Sequence, residues 1–141
     1  MSIDVGTRRI GLAISDVTRT LARPLMTIEV VNADEILPRV LHEIRRCAAE
    51  EDSLSTIVVG LPLRLDGSAS EQTARVTEFI AMLKQQTSIP IVTADERLSS
   101  VEAESRLARR AKNWRDRKKK LDAAAAAVIL QDYLDSGSGG A

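Results

Sequence analysis

A short run of wholly apolar residues is the feature that most limits how this chain can fold. Residues 56–60 read Thr-Ile-Val-Val-Gly, without a charged or strongly polar side chain. Runs of this kind are typical of strands whose two faces are both covered, as in parallel sheets flanked by helices. The run therefore predicts an interior strand of a sheet that carries helices on both faces.

The segments around this run predict an α/β domain. Residues 3–5, 10–15 and 25–31 are rich in β-branched and aliphatic side chains, and a turn over 6–9 separates the first two. Their spacing predicts an antiparallel meander. Apolar side chains then recur every three or four residues over 36–44, after a cap at Asn32 or Asp34, and again over 73–84. Both periodic segments predict helices.

The C-terminal half continues the alternation of strand and helix. Residues 91–94 predict another strand, Ser99 can cap a helix over 101–110, and Asp122 is predicted to open a final helix that ends at Leu134. The whole pattern predicts a five-stranded mixed sheet, made of a three-strand meander plus parallel strands, in one domain over residues 1–135. The Gly/Ser-rich residues 136–141 are predicted to be a disordered tail.

Composition excludes several classes of protein. No apolar run approaches the ~20 residues that a membrane span requires, and no signal peptide is visible at the N-terminus. Cys47 is the only cysteine, so no internal disulfide can form. These absences favour the cytoplasm and no membrane association. With only three aromatic residues in the chain, a single-strand binder that stacks bases on rows of rings is disfavoured.

Charge is strongly segregated although the formal net charge is zero. Residues 106–120 contain nine Lys or Arg and one acid, which leaves 11 basic and 19 acidic residues elsewhere. A segment of this kind can attract a phosphate backbone while carboxylates elsewhere hold metal ions. The alternative is an ordinary solvated, charged helix surface.

Carboxylates follow strands or open helices at three places. Asp4 ends the first strand between apolar neighbours, Asp95-Glu96 follows the fifth strand, and Asp122 stands after the basic segment. Each has an ordinary alternative: a turn-stabilising Asp, a surface ion pair with Arg97, and an acid at a helix N-terminus. Successive strand residues face opposite sides, so only one of Asp95 and Glu96 can face Asp4, and alternation leaves open which one.

Three clustered carboxylates would repel each other unless cations neutralise them. Oxygen ligands favour Mg²⁺ or Mn²⁺ over zinc, and with His42 as the only histidine a His-rich metal site is excluded. Two such ions about 4 Å apart can activate a water and stabilise the leaving oxygen of a phosphodiester. The pattern therefore predicts a two-ion site for hydrolysis by in-line attack.

Four blocks of sequence resemble the YqgF/RuvX family, which is related to the RuvC resolvases. They are residues 4–16 (DVGTRRIGLAISD), 60–68 (GLPLRLDGS), 95–104 (DERLSSVEAE), and a last set formed by Asp122, Ala125, Ala126, Ile129, Leu130, Tyr133 and Leu134. The blocks occur in the family's order and cover nearly the whole chain. Each block alone is a weak signal, whereas the four together are specific.

The resemblance implies a ribonuclease-H-like fold and a metal-dependent nuclease, in 5′-end maturation of 16S ribosomal RNA or in resolving Holliday junctions. It places the acidic triad on Asp4, Glu96 and Asp122, and so favours Glu96 over Asp95. The residues expected to contact nucleic acid are Gly6, Thr7, Arg8, Arg97, Arg115, Arg117, Lys118, Lys119 and Lys120. Expected partners are ribosomal RNA precursors or branched DNA, with ribosomal precursor particles, for a monomer or homodimer.

One departure from the family concerns the first strand. Members usually carry several more apolar residues before the Asp, whereas only Met1-Ser2-Ile3 precede Asp4 here. Strands commonly run about 5–6 residues, so we expect the native protein to begin upstream. Intact-mass measurement of the native protein tests this, and an N-terminus at Met1 would refute it.

Two other functions fit part of the pattern. Asp4-Val5-Gly6-Thr7 also resembles the first phosphate loop of the actin, Hsp70 and sugar-kinase superfamily, but those ATP-binding proteins need two such domains, and 141 residues supply one. The second is a non-catalytic RNA-binding factor of ribosome assembly, in which the basic segment binds RNA and the carboxylates are relics or weak metal ligands. Metal-dependent cleavage that is lost in Asp4→Asn while binding remains distinguishes the nuclease from this factor.

Overall fold

The apolar run forms a strand inside a five-stranded sheet. The computed structural model describes residues 1–50, 54–95 and 114–136; over 114–122 it describes a helical backbone without its side chains. The strands are β1 (Ser2–Val5), β2 (Arg9–Ser15), β3 (Ala22–Glu29), β4 (Ile57–Leu61) and β5 (Ile91–Asp95), in the order β3-β2-β1-β4-β5. β1, β2 and β3 pair antiparallel, while β4 is parallel to both β1 and β5. The predicted mixed sheet is confirmed.

The two faces of the sheet are covered by different helices. α1 (Ile36–Glu50) and α2 (Glu71–Gln86) lie on one face, where they pack on Ile3, Leu12 and Val59. α3 (Trp114–Asp135) lies on the opposite face, and its Ala126 and Ile129 pack with Ala13 and Val58. We call these the α1/α2 face and the α3 face. Helices on both faces are thus confirmed, which explains why Val58 and Val59 are both buried.

The third strand differs from its predicted range. It spans Ala22–Glu29, whereas the sequence predicted 25–31. Pro24 lies inside the strand, where the pairing with β2 shifts between Leu12 and Ala13. β3 is an edge strand, and proline is tolerated at edges and bulges because it removes no necessary ladder bond there.

The segments before α1 and α2 begin differently. Asn32 occupies the cap position of a 3₁₀ turn, Ala33–Glu35, that precedes α1, but its side chain makes no capping hydrogen bond, so the predicted Asn32 cap is matched in position alone. α2 begins at a capping box in which Ser70 and Thr73 satisfy each other's backbone N–H groups. The predicted helix over 73–84 is therefore longer at both ends.

The predicted start of the last helix is wrong. α3 begins at Trp114 rather than at Asp122, because the Arg and Lys residues of this stretch are good helix formers and no Gly or Pro interrupts them. Asp122 therefore lies about two turns inside the helix, and a role at the helix N-terminus is excluded. The helix predicted over 101–110 lies outside the described residues, as do residues 137–141 of the predicted tail.

Ser136 begins the predicted tail and ends the described chain. Its backbone N–H donates to the Asp132 carbonyl at 3.1 Å, and its hydroxyl donates to the Tyr133 carbonyl at 2.7 Å. Both bonds satisfy carbonyls of the last helical turn. Among the described residues, no helix is long and apolar enough to cross a bilayer.

Ser2→Ala is expected to lower the free energy of unfolding by about 1 kcal/mol. The Ser2 side chain is fully buried, and its hydroxyl donates to the Ala126 carbonyl of α3 at 2.6 Å. Ser15→Ala is the matched control, because the Ser15 hydroxyl donates to the carbonyl of the neighbouring Asp16, at 3.1 Å and exposed to solvent. Urea denaturation measures both, and equal losses of stability would contradict the role of the buried bond.

Candidate functional site

Asp4 lies on the α3 face near the carboxyl end of β1. Side chains alternate along a strand, so Asp4 shares its face with Ser2, which bonds α3, and Ile3 points to the α1/α2 core. Asp4 is partly buried, unlike its fully buried neighbour Ile3. A carboxylate at such a position remains accessible to a ligand while its backbone is held by two neighbouring strands.

Glycines flank Asp4 on both sides within the sheet. Gly11 of β2 is its cross-strand partner, and the parallel register of β1 with β4, continued by one residue, places Gly60 beside it. Neither neighbour has a side chain to compete for the space around the carboxylate. Glycine inside a strand often marks close approach of a ligand or of another backbone. The sequence analysis missed these two positions, although strand glycines were the available signal.

α3 runs antiparallel to β1. Its Ala126 carbonyl bonds Ser2, while Gln131, farther along the helix, accepts a bond from the Ala22 N–H at the start of β3, at 2.9 Å. Ala22 pairs with Ser15, which lies beyond the amino end of β1. The C-terminal part of α3 therefore lies toward the amino end of β1, and its N-terminal part lies toward the carboxyl end. Asp122 lies one helical turn before Ala126, so its backbone lies on the side of Ala126 that is toward the carboxyl end of β1; its side chain lies outside the described residues.

The face on which Asp95 lies follows from its neighbours in β5. Val92 and Ala94 belong to the apolar cluster on the α3 face, so Asp95, the exposed last residue of β5, belongs to the alternate set. β5 is parallel to β4, and its carboxyl end reaches the same edge of the sheet as that of β1. Asp95 is therefore not on the face of Asp4. Glu96 and Arg97 lie outside the described residues.

The turn between β1 and β2 stands at this same edge. Gly6, Thr7 and Arg8 are exposed, and the Gly6 N–H donates to the Arg9 carbonyl at 2.8 Å. A Cβ on Gly6 would lie 2.7 Å from that carbonyl oxygen. The tight turn alone therefore requires glycine at position 6, whether or not the backbone also approaches a substrate.

The basic residues of α3 precede the part of the helix that packs on the sheet. Arg115, Arg117, Lys118, Lys119 and Lys120 fall within its first two turns, and their side chains lie outside the described part of the chain. Because α3 is antiparallel to β1, these turns lie toward the carboxyl end of β1. The helical backbone thus carries the predicted basic segment toward the edge where Asp4 lies.

The predicted metal ligands at this site are carboxylate oxygens. His42, the only histidine, is exposed on α1, and Cys47, the only cysteine, is on the buried side of the same helix, in the core of the α1/α2 face. Carboxylate oxygens suit Mg²⁺ or Mn²⁺. Within the described part of the chain no three His, Cys, Asp or Glu side chains form a metal-holding group, and two of the three predicted ligands, Glu96 and Asp122, have side chains outside it.

Comparison with known proteins gives one family and one fold. The family model of RuvX, described as Holliday junction resolvase, matches residues 1–136. A protein of a Roseiflexus species, provisionally named a pre-16S rRNA nuclease, is 42% identical, with 96% of this chain and 93% of the relative covered. A relative with the same provisional name from Maridesulfovibrio salexigens is also 42% identical, with 95% and 96% covered.

Solved structures of RuvC from Thermus thermophilus share the architecture. The structure of RuvC in complex with a Holliday junction substrate matches with a TM-score of 0.53 at 14% identity, covering 97% of this chain and 93% of that chain. A second RuvC structure matches with a TM-score of 0.52. At this identity the likeness shows the fold alone, which is ribonuclease-H-like as the sequence predicted.

Gly6→Ala is expected to destabilise the protein by about 1–3 kcal/mol, the usual cost of forcing an extra carbon into a packed site. The added Cβ meets a backbone oxygen that cannot rotate away. Thr7→Ala, at the exposed neighbouring position, is expected to change stability by less than about 0.5 kcal/mol. Chemical denaturation of both variants tests this, and a Gly6→Ala midpoint equal to that of the parent would contradict the steric argument.

Proposed function

This chain belongs to the RuvX family, described as Holliday junction resolvases, and we propose that it is a divalent-metal-dependent nuclease acting on pre-16S ribosomal RNA or on branched DNA. The observation that carries the proposal is the position of Asp4. Its carboxylate is partly buried on the α3 face, between two glycine positions, and at the end of the sheet toward which the N-terminal turns of α3 extend. Such an arrangement supports binding of a cation and a phosphate.

In this proposal Asp4, Glu96 and Asp122 hold two Mg²⁺ or Mn²⁺ ions. Bound there, the metal supplies a Lewis acid that activates a water and stabilises the leaving oxygen of a phosphodiester. Asp4 is held in place by the ladder to β2, so it keeps its orientation when the substrate binds. Asp95 lies on the face of the sheet opposite to Asp4, which supports Glu96 as the ligand after β5.

Binding of the nucleic acid is assigned to two groups. Gly6, Thr7 and Arg8 form the exposed turn beside Asp4, and Arg97, Arg115, Arg117, Lys118, Lys119 and Lys120 supply positive charge. Lys and Arg side chains that neutralise phosphates displace counterions, which makes such binding strong at low salt and independent of sequence. The acidic remainder of the chain directs a polyanion toward the basic segment.

The comparisons support two candidate substrates. The relatives' provisional names support ribosomal RNA precursors, and the family description supports branched DNA. A symmetric junction cutter needs two active sites and therefore a homodimer, whereas trimming one RNA end can be done by a monomer. Either substrate supports the cytoplasm as the proposed location.

Asp4→Asn is expected to reduce cleavage more than about a hundredfold, beyond the loss seen when only an outer-shell partner of a metal ligand is removed. The assay uses a labelled pre-16S 5′-leader RNA and a labelled four-way DNA junction, each with Mg²⁺, Mn²⁺ or EDTA. Asp95→Asn is the matched control, an acid at the same edge but on the other face, and is expected to retain cleavage. Binding without cleavage in any metal would instead favour the non-catalytic assembly factor.

Replacing Lys118, Lys119 and Lys120 together with Ala is expected to weaken binding of both substrates alike. The slope of log affinity against log salt concentration should become shallower by about 0.9 for each duplex phosphate that the variant no longer neutralises. Lys84→Ala is the control, because Lys84 lies in the last turn of α2, away from the proposed site. Filter binding across a salt series measures both slopes, and an unchanged slope in the triple variant would exclude this segment as the docking surface.

A further inference from the structure

The connection from β4 to α2 is a closely hydrogen-bonded loop. The Gly67 N–H donates to the Arg64 carbonyl at 2.8 Å, and the Arg64 N–H donates to the Ser68 carbonyl at 2.9 Å. The Asp66 carboxylate accepts from the Ser68 N–H and hydroxyl, at 2.9 and 2.6 Å, and Gly67 takes a φ of 87°, which glycine adopts without strain. The segment is therefore a β-turn with a defined shape.

The side chain at the tip of this turn is apolar and exposed. Leu65 is 85% exposed, at the second position of the turn between Arg64 and Gly67. A single exposed leucine on a protein surface needs no explanation by itself. Here, however, the surrounding loop holds it in one place, so little conformational freedom would be lost when a ligand covers it.

The loop is anchored beside the proposed catalytic edge. The Thr73 hydroxyl donates to the Pro62 carbonyl, and the neighbouring Gln72 side chain donates to the Val5 carbonyl at the end of β1, at 3.1 Å. Leu65 therefore follows β4 at the carboxyl end of the sheet, between the strand of Asp4 and the strand that ends at Asp95. An apolar tip stands among the polar side chains of this edge.

We propose that Leu65 is a wedge that inserts between two stacked bases of the nucleic acid and opens the step beside the scissile phosphate. This inference rests on the proposed nuclease function and deepens it, because a wedge is useful only on a substrate with stacked, helical steps. Leucine is among the apolar side chains that proteins insert between base steps. The substrate class is thus double-helical or branched nucleic acid, rather than an unstructured single strand.

The experiment measures the unstacking of individual bases by fluorescence. A four-way DNA junction and a helical pre-rRNA leader are prepared with 2-aminopurine at successive positions, and fluorescence is recorded on adding the protein in EDTA, where nothing is cleaved. We expect a rise at one step for the parent chain. The rise should be lost in Leu65→Ala, with affinity about tenfold weaker, and kept in Leu65→Met, which preserves an apolar side chain of similar size.

Val17→Ala is the matched control. Val17 is 83% exposed at the same position of a β-turn closed by the Arg19 N–H and the Asp16 carbonyl at 3.0 Å. Hydrogen bonds from Thr18, Thr20 and Leu21 hold the pKa of Asp16 below its usual value and fix this turn as firmly. It lies at the opposite end of the sheet, so Val17→Ala should match the parent chain.

Two results would overturn the wedge: a rise that persists in Leu65→Ala, or no rise at any position with the parent chain. Cleavage is measured separately in Mg²⁺ and Mn²⁺, which keeps the two proposals apart. A parent chain that cleaves without a fluorescence rise overturns the wedge alone. A rise that depends on Leu65, without cleavage in either metal, supports the wedge and overturns the nuclease.

Discussion

The packing of α3 on the sheet is the interaction on which the rest of the candidate site depends. Small side chains on both partners, Ala13 in β2 and Ala126 in the helix, allow the two backbones to approach closely. The buried hydroxyl of Ser2 bonds the Ala126 carbonyl and so sets the position of the helix along β1. A buried hydroxyl is costly unless it is bonded, so any sliding of α3 carries a penalty.

The same packing explains how one helix can serve two purposes. From Ala123 onward α3 is nearly uncharged and covers the sheet, whereas its first two turns carry the basic residues. The apolar part gains free energy by burial, and it holds the charged part in a position that charge alone would not favour. Repulsion among the lysines is thereby offset by hydrophobic packing farther along the same helix.

Within the sheet, Asp4 lies in a restrained strand and beside two glycines. Backbone pairing on both sides restricts the movement of the strand. Gly11 and Gly60 flank Asp4 without a Cβ of their own, and glycine inside a strand often marks close approach of a ligand or of another backbone.

Local sequence by itself determined the elements: alternation and apolar runs predicted five strands and the buried β4, because these periodicities report which faces are covered. It also singled out Asp4 and the basic segment. Tertiary structure alone decided that Asp95 faces away from Asp4, that Gly60 lies beside Asp4, and that α3 packs with Ala126 against Ser2. These facts depend on register and on helix packing, which arise from interactions between residues far apart in the chain, and no local pattern encodes them.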